Sequence, residues 1–155
     1  MTDNVLTLLR RVPAPVAVLT VDTGREQLGL TVSSLVSLSL DPPLVGVSIS
    51  RQAAMHELLR EAGAFALSVL AGGQEWVAQH FARGVPPIAM WRGIETEEGT
   101  AGAPLVVGAL GWLECRLAAE HETGDHTLFV GEVLGVRLGQ PAPPLVRHDA
   151  SYRVL

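Results

Sequence analysis

From Leu28 to Leu40 apolar and small polar residues alternate almost without a break, with Leu28, Leu30, Val32, Val36, Leu38 and Leu40 on the even positions. A period of two over that length predicts an antiparallel strand with one buried face, ended by Asp41-Pro42-Pro43. Ser34 alone interrupts the apolar side and Leu35 alone the polar side. The hydroxyls of Thr31, Ser33 and Ser34 have two readings on this pattern: solvated groups of a barrel strand, or an edge offered to a ligand.

Other segments repeat the strand pattern. Val16–Val21 reads as a strand that turns through Asp22-Thr-Gly-Arg25, and Leu44–Ile49 as another with Val45, Val47 and Ile49 on one side. Two long strands are expected at about 105–121 and 126–138, joined by Glu122-Thr-Gly-Asp125. Helical spacing marks three places. Residues 4–11 carry Val5, Leu8 and Leu9 on one face, and 52–61 carry Met55, Leu58 and Leu59, with Gly63 placed to cap the end. Residues 74–82 set Trp76, Val77, His80 and Phe81 inward, whereas 84–103 reads as loop-rich and the last segment, 141–155, is proline-rich. Many strands with few helices, and no repeat or linker, predict one small β-barrel domain over residues 1–155.

Composition narrows the function. Charged residues make up 17% of the 155 and the mean hydropathy is +0.31, so apolar surface is left over for a subunit interface and a homodimer is expected. The net charge is −5 and all 11 basic residues are arginines, which argues against nucleic acid and anionic membranes. Without lysine there is no Schiff base and no P-loop. Arg10-Arg11 precedes only a short, proline-interrupted apolar run, and a cytoplasmic protein is expected. Cys115, the single cysteine, sits in a strand-like segment and reads as packed.

Three chemistries fail on spacing. His121-Glu122 lacks the second histidine of a zinc-protease helix, so no metal is expected. No serine lies in a Gly-x-Ser-x-Gly elbow, and no Gly-x-Gly-x-x-Gly opens a Rossmann unit.

Several segments in one order point elsewhere. Thr31-Val-Ser-Ser34, Ser37-Leu-Ser-Leu-Asp-Pro-Pro-Leu44, Val47-Ser-Ile-Ser50, Phe81-Ala-Arg83, Gly124-Asp125-His126, Gly131-Glu132-Val133 and Tyr152 together resemble the flavin reductase family. These are FMN-binding split-barrel proteins that supply reduced flavin to two-component monooxygenases. The resemblance implies a mostly β, six-stranded antiparallel Greek-key split barrel with two or three short helices, paired as a homodimer. It implies that FMN, or FAD, lies along Thr31, Val32, Ser33 and Ser34 and continues over Ser48, Ile49, Ser50 and Arg51, with Phe81 and Arg83 near the phosphate.

The same resemblance sets His126, the implied catalytic residue, beside the nicotinamide of NADH or NADPH, with Asp125 and Tyr152 on the substrate side. Guanidinium groups suit phosphate oxygens, although Arg51 reads equally well as a solvated helix-end residue. Hydride transfer needs alignment more than a strong acid or base, which accounts for the lack of a carboxylate pair or marked nucleophile. His56 is placed either near the phosphate or on the surface, His80 packs beside Phe81, and Trp91 is the candidate for the nicotinamide entrance. The activity implied is NAD(P)H-dependent flavin reduction for a partner monooxygenase, with NADH favoured by the scarcity of cations. The alternatives are a non-catalytic FMN carrier on the same barrel and a flavin-free interaction module.

Overall fold

The structure, a computed structural model, describes residues 1–155. Helix α1 (Thr2–Arg10) leads into β1 (Ala14–Pro15), β2 (Ala17–Asp22), β3 (Gln27–Val32), β4 (Val36–Leu40) and β5 (Pro43–Ser50). Helix α2 (Ala54–Ala62), β6 (Ala64–Val69) and α3 (Glu75–Ala82) follow. A loop region then carries a 3-10 turn at Pro87–Ala89 and short strands β7 (Thr96–Glu98) and β8 (Pro104–Val106). The chain finishes with β9 (Gly111–Glu122), β10 (His126–Leu138), β11 (Leu145–His148) and β12 (Ser151–Val154). The fold is mostly β with three α-helices, and its strand pairs are antiparallel.

Seven strands make the main sheet, in the order β3-β2-β6-β9-β10-β5-β4. The single strand expected over 28–40 is therefore two strands, and the sheet has seven members where six were expected. The cause is the interruption at Ser34 and Leu35. Ser34 Oγ accepts the Ser48 N–H at 2.9 Å and donates to the Ser48 carbonyl at 3.0 Å, which draws the chain out of the β3 ladder. Strands β3 and β4 lie at opposite ends of the sheet order yet are joined by three residues. The bend thus ties one edge of the sheet to β5 near the other.

Turn chemistry matches the sequence at the hairpins. Asp22 Oδ1 accepts the Gly24 N–H at 2.7 Å, and Gly24 takes φ +83. Gly63 caps α2 at φ +68, a region where a Cβ is costly. Beyond β10 the proline-rich last segment forms the β11–β12 hairpin, turned by Asp149 and Ala150 at φ 49 and 59.

Two hydrophobic clusters hold the sheet. Leu19, Ile49, Leu59, Phe65, Leu67 and Phe129 pack between the strands and α2, while Val16, Leu70, Val77, Phe81 and Leu145 pack beneath α3. Each such side chain contributes about 1.5–3 kcal/mol by leaving water. Gly131 is required by this core, because a Cβ there would sit 2.5 Å from Phe65 Cζ. A Cβ on Gly29 would likewise meet Phe81 at 2.7 Å. Trp76, expected inward, is 53% exposed, since α3 turns Val77, Ala78 and Phe81 to the sheet instead.

Apolar surface remains outside both clusters. No residue of α1 is buried, and Leu6, Leu8 and Leu9 are open to solvent, as are Val36, Leu38 and Leu40 on β4. No helix is long and apolar enough to cross a membrane.

Candidate functional site

Backbone register brings three of the singled-out segments to one rim. Strand β10 pairs with β5 so that His126 faces Ser50 and Leu128 faces Ser48. The Arg51 N–H donates to the Asp125 carbonyl at 2.9 Å, extending the ladder into the Gly124-Asp125 turn. Ser34 reaches the same strand through its double bond to Ser48. Ser34, Ser48, Ser50, Arg51, Asp125 and His126 therefore lie together at one end of the β5–β10 ladder. Val32 and Ile49, by contrast, turn their side chains into the core.

The rim's polar groups are partly spent on the protein itself. Arg51 Nη1 lies 3.4 Å from the Gly124 carbonyl and Nη2 4.0 Å from Glu122. His126 Nδ1 meets Asp125 Oδ1 at 2.7 Å, and this bond is the main reason the Asp125 carboxyl is held below its ordinary range. Thr31 Oγ1 donates to the Ala78 carbonyl at 2.6 Å, so its hydroxyl fastens β3 to α3. Ser33 is exposed and makes no hydrogen bond within the chain.

A second surface opens on the other side of that bend. Ser33 lines a groove shared with Leu9, Arg10, Arg147 and Ala150. Arg147 and Ala150 also line a neighbouring cleft of about 480 Å³ with Arg83, Gln79, Ser151 and Tyr152. The Arg147 guanidinium stacks on the Tyr152 ring at 4.6 Å, held by direct pairing of the two residues across the β11–β12 hairpin. Neither Arg83 nor Arg147 forms an ion pair, although Glu75 also borders the cleft. Two unpaired guanidinium groups beside free hydroxyls are a donor set suited to a phosphate. The donor types present, hydroxyls at the rim and guanidinium groups in the cleft, fit the chemistry of a flavin's polar ring edge and phosphate.

Residues 9–155 match the model of the flavin reductase like domain. The chain belongs to the flavin reductase family. It is 44% identical over 147 residues to the reductase component of 4-hydroxyphenylacetate 3-monooxygenase from Thermus thermophilus, covering 95% of this chain and 92% of that protein. It is 44% identical over 133 residues to an NADH-dependent FAD reductase of Streptomyces globisporus, covering 81% of this chain and 72% of that protein. Among solved structures it superposes on the NADH:FAD oxidoreductase of Streptomyces globisporus in complex with NAD and FAD fragments. The TM-score there is 0.93 at 35% identity, over 98% of this chain and 91% of that one. The flavin reductase component of a bacterial two-component tryptophan halogenase superposes with a TM-score of 0.92 at 36% identity, over 100% and 98% of the two chains.

Several residues of this flavin reductase family member sit elsewhere than the sequence suggested. The Phe81 ring is buried in the α3 cluster, T-shaped against His80 at 5.0 Å, and only Arg83 of Phe81-Ala-Arg83 reaches the cleft. Trp91 is not beside the rim. Its indole N–H donates to the Gln27 carbonyl at 2.9 Å, at the far end of β3 from Ser33, roughly 20 Å along the strand. His56 is neither on the surface nor free for a phosphate, because it is buried with both ring nitrogens engaged. Arg147 was missed. The only sequence signal for it was a cation two residues past Leu145 in the proline-rich last segment.

Proposed function

We propose that this chain is an NADH-dependent flavin reductase that reduces FMN, or FAD, and supplies the reduced flavin to a partner flavin-dependent monooxygenase. The observation that carries the reading is the meeting of the β3–β4 bend, the end of β5 and the Asp125-His126 turn on one rim beside two unpaired arginines. A single domain over residues 1–155 is proposed, with β2, β3, β5, β6, β9 and β10 as the six staves of a Greek-key split barrel and β4 as an extension. A homodimer is proposed on the exposed apolar residues of α1 and β4, which have no cover within one chain. The relatives' names support NADH as reductant, and with it a cytoplasmic setting.

The proposed roles follow from what each group has free. Ser33, Ser48, Ser50 and the backbone at Thr31 and Ser34 form the polar edge that holds the flavin ring, while the Ile49 and Val32 amides face β10 and β2 in their ladders. Arg83 and Arg147 take the phosphate, with Arg51 occupied at the Gly124 turn. A bound flavin supplies the two-electron acceptor for the hydride of NADH. His126 orients the nicotinamide, with Asp125 fixing its Nδ1 side so that Nε2 faces the substrate. Tyr152, stacked under Arg147, walls the cleft. Catalysis on this reading is alignment of donor and acceptor with water kept out, which needs no strong acid or base.

The test is NADH oxidation by the purified protein with FMN, FAD or riboflavin, followed as loss of nicotinamide absorbance. Flavin-dependent turnover is expected. Flavin binding without turnover on NADH or NADPH would leave a carrier, and neither binding nor turnover would remove flavin from the function.

A further inference from the structure

Behind His126 lies a chain of three side chains, of which His56 and Thr127 are buried and Glu57 is exposed. His56, on the first turn of α2, is 4% exposed, and its Nε2 is 2.7 Å from the hydroxyl of Thr127, which is 1% exposed. On its other side, His56 Nδ1 is 3.0 Å from Glu57 Oε1, and the ring packs edge-on to Phe129 at 5.1 Å. Glu57 is held as the carboxylate by His56 first and by Arg60 as well. The ring hydrogens follow from these partners: Nδ1–H donates to Glu57, and Nε2 accepts the Thr127 hydroxyl proton. A carboxylate, imidazole and hydroxyl in line resemble a nucleophilic triad, but the Thr127 hydroxyl is sealed from solvent and cannot reach a substrate.

The arrangement has a different use. Thr127 follows His126 on β10 and pairs with Ile49, one residue in from the His126–Ser50 pair that opens the ladder to β5. Without the His56 bond, that end of β10 is fixed only by the backbone ladder and the Gly124 turn. We infer that His56 is a positioning residue: through Thr127 it fixes the start of β10 and hence the direction in which His126 presents its ring to the nicotinamide. This rests on the proposed role of His126 and adds to it the element that aims it. A buried imidazole–hydroxyl bond suits this task, since neither group can find water as a substitute partner.

A kinetic double-mutant cycle tests the inference. Steady-state NADH oxidation at saturating flavin is measured for His56→Ala, Thr127→Val and Thr127→Ser, and for the first two combined with His126→Ala. Flavin affinity and thermal midpoint are recorded for each. His56→Ala and Thr127→Val are expected to lower kcat/KM for NADH about tenfold, mostly through KM, as a slightly displaced orienting group does. Thr127→Ser, which keeps the hydroxyl, is expected to stay near the parent value. Flavin affinity is expected to stay within about twofold throughout, and both effects are expected to vanish in the His126→Ala background.

Equal losses in the presence and absence of His126, or a loss of flavin affinity as large as the loss in NADH kcat/KM, would overturn the positioning role. So would unchanged NADH kinetics. Thr127→Val, which preserves volume, carries the test should His56→Ala fail to fold. An unaltered KM for NADH in His126→Ala alone would be a separate result, overturning the nicotinamide role of His126 itself.

Discussion

The rim at β5 and β10 and the cleft under the β11–β12 hairpin are neighbours built on different terms. At the rim, Ser34, Arg51 and Asp125 are hydrogen-bonded to the protein, and the backbone register places His126 against Ser50. In the cleft, Arg83 and Arg147 have no acidic partner, and Ala150 is held at φ 59, an unfavourable value for a residue with a Cβ. The rim spends its polar groups on holding shape, and the cleft leaves its polar groups for something else. Residues that look alike in sequence therefore divide into scaffold and ligand-binding groups only once their partners are known. Ser33 and Ser34 are the sharpest case: adjacent serines, one solvent-facing, the other locked onto Ser48.

That contrast breaks most visibly at Ser34. Ser34→Ala removes both bonds to Ser48 and leaves its N–H and carbonyl short of partners, so a loss of about 1–3 kcal/mol in stability is expected by chemical denaturation. Ser33→Ala is expected to leave stability within about 0.5 kcal/mol and to weaken flavin binding instead. Equal destabilisation by the two would erase the distinction.

Next in size are the cleft arginines. Arg83→Ala and Arg147→Ala are each expected to weaken FMN about tenfold, or ~1.4 kcal/mol, while leaving riboflavin, which lacks the phosphate, unchanged. Titration of both flavins separates a phosphate contact from a general loss of fold. Ala150→Gly relieves the left-handed backbone at the cleft edge, and a gain of up to about 1 kcal/mol is expected in the same denaturation assay.

The smallest effect lies at Asp125. Its carboxyl is held below the ordinary range by the His126 bond, so the pair's contribution is present above the unfolded carboxylate range and is lost as pH falls through the lowered folded value. Melting curves against pH are expected to show Asp125→Asn slightly less stable than the parent at neutral pH and converging with it in acid. Because Asp125 is 95% exposed, solvent screens most of this difference.

Much of this was readable in the chain before folding. The hairpin turns at Gly24 and Gly124, the Gly63 cap and the long β9–β10 pair all announced themselves through turn residues between alternating runs. The break at Ser33-Ser34-Leu35 was marked only as a slip in the alternation, and nothing in a single strand's pattern says that the slip is a bond to a strand fourteen residues on. The β11–β12 hairpin stayed hidden because its turn uses Asp149 and Ala150 where glycine or asparagine is the usual signal. Gly131, part of the motif block that suggested the family, proved to serve Phe65 packing. His56 stayed ambiguous because helical spacing does not reveal that α2 aims it at a threonine in a distant strand. Cys115, read as packed, is buried with its thiol pushed up to about 12, by desolvation first and then by Glu114.

The most direct test is a crystal structure of the protein soaked with FMN and NADH. The flavin ring is expected against Ser33 and Ser48–Ser50, its phosphate between Arg83 and Arg147, and the nicotinamide within hydrogen-bonding reach of His126. A flavin bound away from the β3–β4 bend, or a nicotinamide remote from His126, would contradict it.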